Sequence, residues 1–285
     1  MIPATRRGIR ARRPEKRGEI PAYARSRAYA HLVLRITDAR TGESVDAAPA
    51  RRGLTRVEAH AEGPDPTGLR VLLVADLLVR ALELGGTPVW ALLTGERQRA
   101  ELRAAGAALG VRPFEDGGDT GAGLGEAQVL HVVGEGGAPP GGGAPPAGGA
   151  PPGGVRVAVA AVRWEAPGPP GDTDPAVLRL ALLTHSASTP VTVDAAALRD
   201  ARDTLARWRR AVAGWAHRPS RPVPDSVRGD LRSAWEDDLD TAGVLRVLRA
   251  VEQDPDLPEG ARFETYAYAD RLLGLDLTHD VGSPA

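Results

Sequence analysis

The spacing of apolar positions changes along the chain, and each spacing predicts a different element. Leucines three and four positions apart in GLRVLLVADLLVRALEL predict an amphipathic helix. Asp65 or Thr67 can cap its start, and the glycine pair at 85–86 ends it. Short apolar runs predict strands at 32–34, 54–59, 89–93, 127–135 and 155–164. A second helix is predicted at about 96–109. This alternation with short turns is typical of a parallel α/β unit.

The pattern becomes helical after residue 172. A helix begins at Asp174-Pro175, and a longer one carries an apolar stripe that includes Trp208 and Trp215 and stops before Pro219. The two tryptophans lie seven positions apart, so they share one helix face and are predicted to be core residues. Further helical segments follow up to the end of the chain. Several helices joined by short, proline-rich turns indicate an antiparallel bundle.

Two segments have no periodic pattern and set the predicted domain boundaries. Residues 1–30 form a basic tail, which is a disordered extension, a misassigned start or an arm that touches RNA. Residues 136–154 form a Gly/Pro linker without side chains that pack a core. Between and after these segments we assign three parts of a folded chain: residues 31–135 as the first half of an α/β domain, 155–171 as the strand and loop that complete it, and 172–285 as the bundle.

Composition excludes several kinds of chemistry. The 285 residues contain no cysteine, which rules out disulfides, thiolate metal sites and cysteine nucleophiles. The net charge of −1 gives no overall attraction to nucleic acid or to an anionic membrane. No stretch of about 18 apolar residues predicts a membrane span, and no secretory signal is present, so we expect a cytoplasmic protein. Lys16 is the only lysine in the chain.

No cluster of chemical groups stands out from the sequence. No two of the six histidines lie three or four positions apart, so each is predicted to be structural or exposed. The glycine-rich stretch at 121–125 precedes a strand, whereas a phosphate-binding loop follows one. The acidic run of Glu236, Asp237, Asp238 and Asp240 is either a metal or phosphoryl-transfer cluster or, as we favour, a helix start that Asp240 caps.

Several segments resemble the cysteinyl-tRNA synthetase family. DTDPAVLRLALLTHS, with the long helix behind it, resembles the region after that family's signature loop, and DDLDTAGVLRVL resembles a helix of its tRNA-binding part. GLRVLLVADLLVRALELGGTPVWALL is similar to the first helix and next strand, with Arg70 and Asp76 on matching positions. The resemblance implies a Rossmann-type domain, internally truncated, before the bundle. It also implies an ATP-dependent ligase, either the synthetase or the related cysteine ligase of mycothiol synthesis.

The motifs that carry the family's chemistry are replaced. Asp65, Pro66, Thr67 and Gly68 occupy the positions of the histidine-containing ATP motif, and an aspartate there repels a triphosphate. The lysine motif should precede residue 172, where the chain reads RWEAPGPPG with Arg163 as the nearby cation. The family's zinc site uses cysteines with a histidine and a glutamate, and the chain has no thiolate ligand to offer.

We therefore predict a catalytically degenerate relative that binds or regulates, without catalytic residues, metal or cofactor. The alternative is an active ligase that activates cysteine or a related acid, and ATP is expected only under that alternative. A tRNA or a protein is the expected partner, and the sequence sets no oligomeric state, although the bundle is able to mediate oligomerisation. The residues predicted to contact nucleic acid are Arg202, Arg207, Arg209 and Arg210.

Overall fold

The computed structural model describes residues 33–49, 54–95, 98–116, 126–135 and 154–282. The basic tail, Leu32, the glycine-rich stretch and nearly all of the Gly/Pro linker lie outside these described residues. The strands are β1 Arg35–Thr37, β2 Ser44–Asp46, β3 Leu54–His60, β4 Val89–Thr94, β5 Glu115–Asp116, β6 Glu126–Gly134, β7 Val155–Val159, β8 Val162–Trp164 and β9 Val191–Val193. The α-helices are α1 Pro66–Leu84, α2 Arg99–Ala108, α3 Pro175–Leu182, α4 Ala195–Trp215, α5 Asp225–Glu236, α6 Thr241–Gln253 and α7 Glu259–Leu273.

A five-stranded parallel sheet organises the first part of the fold. Its strand order is β5-β4-β3-β6-β7, and every neighbouring pair is parallel. In chain order this is the 3-2-1-4-5 arrangement of a Rossmann-like sheet, so the predicted α/β class is confirmed. The strand order reverses between β3 and β6, so the carboxyl ends of these two strands form the switch point of the sheet. Ligands bind at this position in open parallel sheets.

The single strand predicted over 155–164 is wrong, because the structure divides it into β7 and β8. β7 is an edge strand of the main sheet, whereas β8 pairs with β9 in a separate two-stranded parallel sheet. The chain leaves the main sheet at Ala160, whose N–H donates to the carbonyl of Ala187 and whose carbonyl accepts from Arg70. These partners come from distant parts of the sequence, so the apolar run alone could not reveal the break.

The start of the described chain also differs from the prediction. A strand was expected at 32–34, but β1 covers Arg35–Thr37 and pairs antiparallel with β2. Leu34 and Ile36 are buried while Arg35 and Thr37 are exposed, so the side chains alternate as they do in a strand with one covered face.

Helix α1 lies at the centre of the packing. Asp65 caps its first turn, and Gly85 with the positive-φ residue Gly86 ends it, as the sequence predicted. The sequence predicted one apolar face, but the structure buries almost the whole helix, including Arg70 and Asp76. Because α1 contacts the sheet and also α7, both sides of the helix are covered.

The helical part packs around aromatic residues of α4, α5 and α7. Trp208 and Trp215 are buried, and both rings meet Tyr266 edge-on, with centroids 5.7 and 5.2 Å apart. The Tyr266 hydroxyl donates to the carbonyl of Leu248 at 2.8 Å, which satisfies the only polar atom of its side chain in this core. The predicted core position of both tryptophans is confirmed. Among the described residues, no helix has the length and apolar character needed to cross a bilayer.

Candidate functional site at the carboxyl edge of the sheet

The turn before α1 is closed by its own side chains. Asp65 Oδ1 accepts hydrogen bonds from the backbone N–H groups of Thr67 and Gly68, at 2.9 and 3.0 Å. Thr67 Oγ1 in turn accepts from the N–H of Val162 at 3.0 Å, which ties the turn to the start of β8. Pro66 occupies the first helical position and has no N–H to offer. The backbone donors that attract anions at a helix start are thus already bound to a carboxylate.

Close backbone packing leaves little space at the same turn. A Cβ atom on Gly68 would lie 2.1 Å from the carbonyl oxygen of Gly63. No side chain fits there without a shift of the backbone, so this position requires glycine. The turn is therefore held in shape by contacts within the fold.

Arg163 is the one cation on β8, the strand that contacts this turn through Val162. It directly follows Val162, whose N–H binds Thr67, and its side chain is exposed. Where the resembled family has a lysine motif, this part of the chain offers one exposed arginine.

Arg70 connects α1 to two other segments of the chain. Its guanidinium donates to the carbonyls of Ala160, Thr189 and Ser186 at 3.0, 2.8 and 2.7 Å. The side chain is buried without an acidic partner among these contacts, and burial lowers its pKa to about 10. Arg70 therefore binds three backbone carbonyls and holds β7, β8 and the loop before β9 together.

Asp76 is buried and lies at the centre of three arginines, of which Arg179 is buried as well. Its carboxylate is 2.8 Å from Arg80, 3.0 Å from Arg179 and 3.2 Å from Arg112. Burial alone raises the pKa of this carboxyl, but the charges of Arg179 and Arg80 outweigh it and keep the pKa below its usual value. Arg179 belongs to α3, so the cluster joins the α/β part to the helical part.

The arginines predicted to contact nucleic acid all lie on α4, but two of them have partners within the fold. Arg207 donates to Glu252 at 2.8 Å. Arg209 donates to two backbone carbonyls just after α7, at 3.0 and 2.8 Å. Arg202 and Arg210 are exposed and make no hydrogen bond or ion pair with any residue that the structure describes. These two remain available to a partner.

The acidic run at 236–240 serves local structure. Asp240 caps α6 by accepting from the N–H of Gly243 at 2.8 Å, so the favoured capping interpretation is confirmed. Asp238 accepts from the N–H of Thr37 at 2.9 Å and so fastens β1 to the helical part.

The structure brings together three side chains that the sequence did not connect. Glu58 and His60 lie on β3, and His131 lies on β6, opposite Glu58 in the parallel register. His131 Nδ1 is 3.0 Å from Glu58 Oε2 and 3.0 Å from His60 Nε2, and Glu58 Oε2 is 3.5 Å from His60 Nε2. We call these three residues the His-Glu cluster. It lies towards the carboxyl ends of the two strands between which the sheet order reverses.

Neighbouring residues orient the cluster. Arg56 Nε lies 3.0 Å from Glu58 Oε1, which leaves Oε2 to face the two imidazoles. Hydrogen bonds from His131 and then from His60 hold the pKa of Glu58 well below its usual range, against the opposing effect of burial. The carboxylate is therefore charged at neutral pH.

The histidine spacing in the sequence did not reveal this contact, because it was considered only for ligands on one helix. His60 and His131 are 71 positions apart and meet through the pairing of two parallel strands. Glu58 and His60 are two positions apart within a strand, where alternate side chains share a face. The spacing of Glu58 and His60 therefore indicates that these two side chains share a face of the sheet. Only the strand order shows that His131 lies beside them.

Comparison with known proteins gives a partial relationship. No model of a known family matches the chain. The L-cysteine:1D-myo-inositol 2-amino-2-deoxy-alpha-D-glucopyranoside ligase of Streptosporangium roseum is 35% identical over 114 residues, which is 37% of this chain and 26% of that protein. The ligase of the same name from Thermobifida fusca is 39% identical over 113 residues, with the same two shares. That from Acidothermus cellulolyticus is 36% identical over 105 residues, or 36% of this chain and 25% of the relative.

These matches span about a quarter of the length of the relatives. They agree with the resemblance found in the sequence. By their names, the relatives correspond to the cysteine ligase of mycothiol synthesis and not to the synthetase. Over somewhat more than a third of its length, the chain is similar to these cysteine ligases.

Proposed function

We propose that this chain is a cytoplasmic, cysteine-ligase-like protein that does not form adenylates and that acts by binding a partner. The relatives are ligases by name, but the turn that begins α1 is built differently from an ATP site. The alternative is an active ATP-dependent ligase of the kind that the relatives' names describe, and it rests on their identity of 34 to 39%.

The internal cap of α1 is the observation that carries this proposal. The Asp65 carboxylate accepts from the N–H groups of Thr67 and Gly68, which are the donors that an ATP phosphate would need. A phosphate would have to displace a neighbouring carboxylate and then remain close to its negative charge. Two unit charges 4 Å apart interact by about 4 kcal/mol at an effective dielectric constant of 20, which opposes binding here.

The distribution of cations supports the same conclusion. No lysine follows Lys16, and the segment that matches the lysine motif offers one cation, the exposed Arg163. Adenylate formation requires stabilisation of charge that develops on the phosphates, which preorganised donors and cations usually supply. Arg70 and Arg179 cannot take that role, because both are buried in contacts that hold the fold together.

For the partner we propose tRNA, which the resemblance of the helical part favours. Arg202 and Arg210 are two exposed cations of α4 that would contact its phosphates. A protein partner is the other outcome, and the two are separated by whether binding to bulk tRNA depends on salt.

An ATP–pyrophosphate exchange assay tests the loss of adenylation. The full-length chain is incubated with ATP, labelled pyrophosphate and cysteine, and then with a panel of other amino acids. An active cysteine ligase serves as the positive control. We expect exchange no faster than in a reaction without protein, whereas exchange that depends on an amino acid would establish the ligase alternative.

A further inference from the structure

The His-Glu cluster has the dimensions of a metal site. Its three donor atoms form a triangle with sides of 3.0, 3.0 and 3.5 Å. Zinc ligands at about 2.0–2.1 Å in tetrahedral geometry lie roughly 3.3 Å from one another. An ion at that bond length from all three atoms fits about 1 Å out of their plane. The strands therefore already hold the donors at the required separation.

The hydrogen bonding of His60 supports a ligand role for its Nε2 atom. Thr94 Oγ1 donates to the carbonyl of Ala59 at 3.2 Å and lies 2.5 Å from His60 Nδ1. Because the Thr94 hydroxyl donates to the Ala59 carbonyl, its oxygen accepts a hydrogen bond from the Nδ1–H of His60, which leaves the Nε2 lone pair for an ion. Histidines that bind metals usually donate their other ring N–H in this way. Thr94 is thus a positioning residue for His60.

The charge and exposure of the cluster also suit a cation. The side chains of His60, Glu58 and His131 are 9, 13 and 16% exposed, so they are held by the fold while solvent still reaches them. A divalent ion accepts a lone pair from each of the three donor atoms at once. Arg56 lies on the other carboxylate oxygen, at the side away from the imidazoles.

We propose that Glu58, His60 and His131 bind one divalent transition-metal ion, with Zn²⁺ as the best fit, through Oε2, Nε2 and Nδ1. Two imidazoles with one carboxylate select zinc, cobalt or nickel over magnesium and calcium, which prefer oxygen ligands. Three protein ligands leave a fourth tetrahedral position for water or a ligand. The site contains no thiolate and is independent of whether the chain forms adenylates.

Metal titration of the full-length chain without a histidine tag tests this site. After removal of metals with a chelator, Zn²⁺, Co²⁺ and Mg²⁺ are titrated separately by calorimetry. We expect one equivalent of Zn²⁺ or Co²⁺ and no saturable binding of Mg²⁺. Bound Co²⁺ should give the strong visible absorption of a four-coordinate site.

Variants assign the binding to the cluster. His131→Ala and Glu58→Gln should each weaken Zn²⁺ binding by at least 100-fold, and Thr94→Val by about 10- to 100-fold through the loss of orientation of His60. His217→Ala is the matched control, because His217 is exposed on the helical part, and it should leave the affinity unchanged. Circular dichroism of each metal-free variant checks that it folds.

Two results would overturn the proposal. One is a stoichiometry well below one ion per chain in the wild type. The other is binding of one ion that His131→Ala and Thr94→Val leave unchanged. Zn²⁺ should also raise the melting temperature of the wild type and of His217→Ala but not that of His131→Ala, since only binding to the native state stabilises it.

Discussion

Asp65 and Asp76 show how two carboxylates of one helix perform different structural tasks. Asp65 lies at the surface end of α1 and compensates backbone N–H groups, whereas Asp76 is fully buried and compensates arginines from three segments. Both side chains are satisfied by the protein itself. At this scale the helix that the resemblance assigns to nucleotide binding is a structural element with its polar groups already paired.

Replacement of Asp65 tests the cap. Asp65→Ala removes the acceptor for two N–H groups and should lower the free energy of unfolding by about 1 kcal/mol. Asp65→Asn keeps an acceptor oxygen and should remain within a few tenths of a kcal/mol of the wild type. Urea unfolding measures both. Equal stability of the alanine variant and the wild type would show that the cap contributes nothing.

Replacement of Asp76 tests the buried cluster. Asp76→Asn leaves Arg179, which is 1% exposed, without its carboxylate, and the free energy of unfolding at pH 7 should fall by about 3–5 kcal/mol. Asp116→Asn is the control, since Asp116 is 58% exposed and its pairs with Arg99 and Arg103 are worth about 0–1 kcal/mol. Similar losses in the two variants would contradict the cluster's role.

The difference in the free energy of unfolding between the wild type and Asp76→Asn should change with pH in a defined direction. The folded-state pKa of Asp76 is lowered, so its contribution is fully present above the unfolded value of about 3.9 and is lost as pH falls through the folded value. The stability gap between wild type and Asp76→Asn should therefore be constant from pH 7 to about 5 and shrink in more acidic solution. Denaturant titrations over this range measure it. A gap that widens on acidification would contradict the assignment.

Local signals in the sequence were sufficient for most elements. The caps at Asp65, Asp174 and Asp240 mark helix starts that the structure reproduces, because capping depends on neighbours in the chain. The division between β7 and β8 was not predictable, because it depends on Arg70 and on a loop almost thirty positions later. The His-Glu cluster was missed for the same reason, since it depends on the order of strands.

Helix α4 provides a test of the proposed partner at the scale of one element. Replacement of both Arg202 and Arg210 by alanine should weaken binding to bulk tRNA and make its salt dependence shallower. Removing one arginine–phosphate ion pair reduces the slope of log K against log salt by roughly 0.7 to 0.9. Arg228→Ala on α5 is the control. Filter binding at several salt concentrations measures the slopes, and an unchanged slope in the double variant would exclude this helix as the tRNA-binding surface.

The whole molecule has a Rossmann-like sheet joined to a helical part, and the turn before α1 is closed by its own side chains. Five parallel strands form one sheet even though the linker separates β6 from β7 in sequence. Arg70 and the Asp76 cluster join this sheet to the helical part through buried contacts. A scaffold of this kind can persist without adenylation, because the residues that stabilise it are different from those that would bind phosphate.

The rate of ATP–pyrophosphate exchange with cysteine decides whether the chain has lost adenylation. The full-length chain should give the same background as a reaction without protein, under conditions in which an active cysteine ligase exchanges readily. Exchange that requires both the chain and an amino acid would show that adenylation is retained.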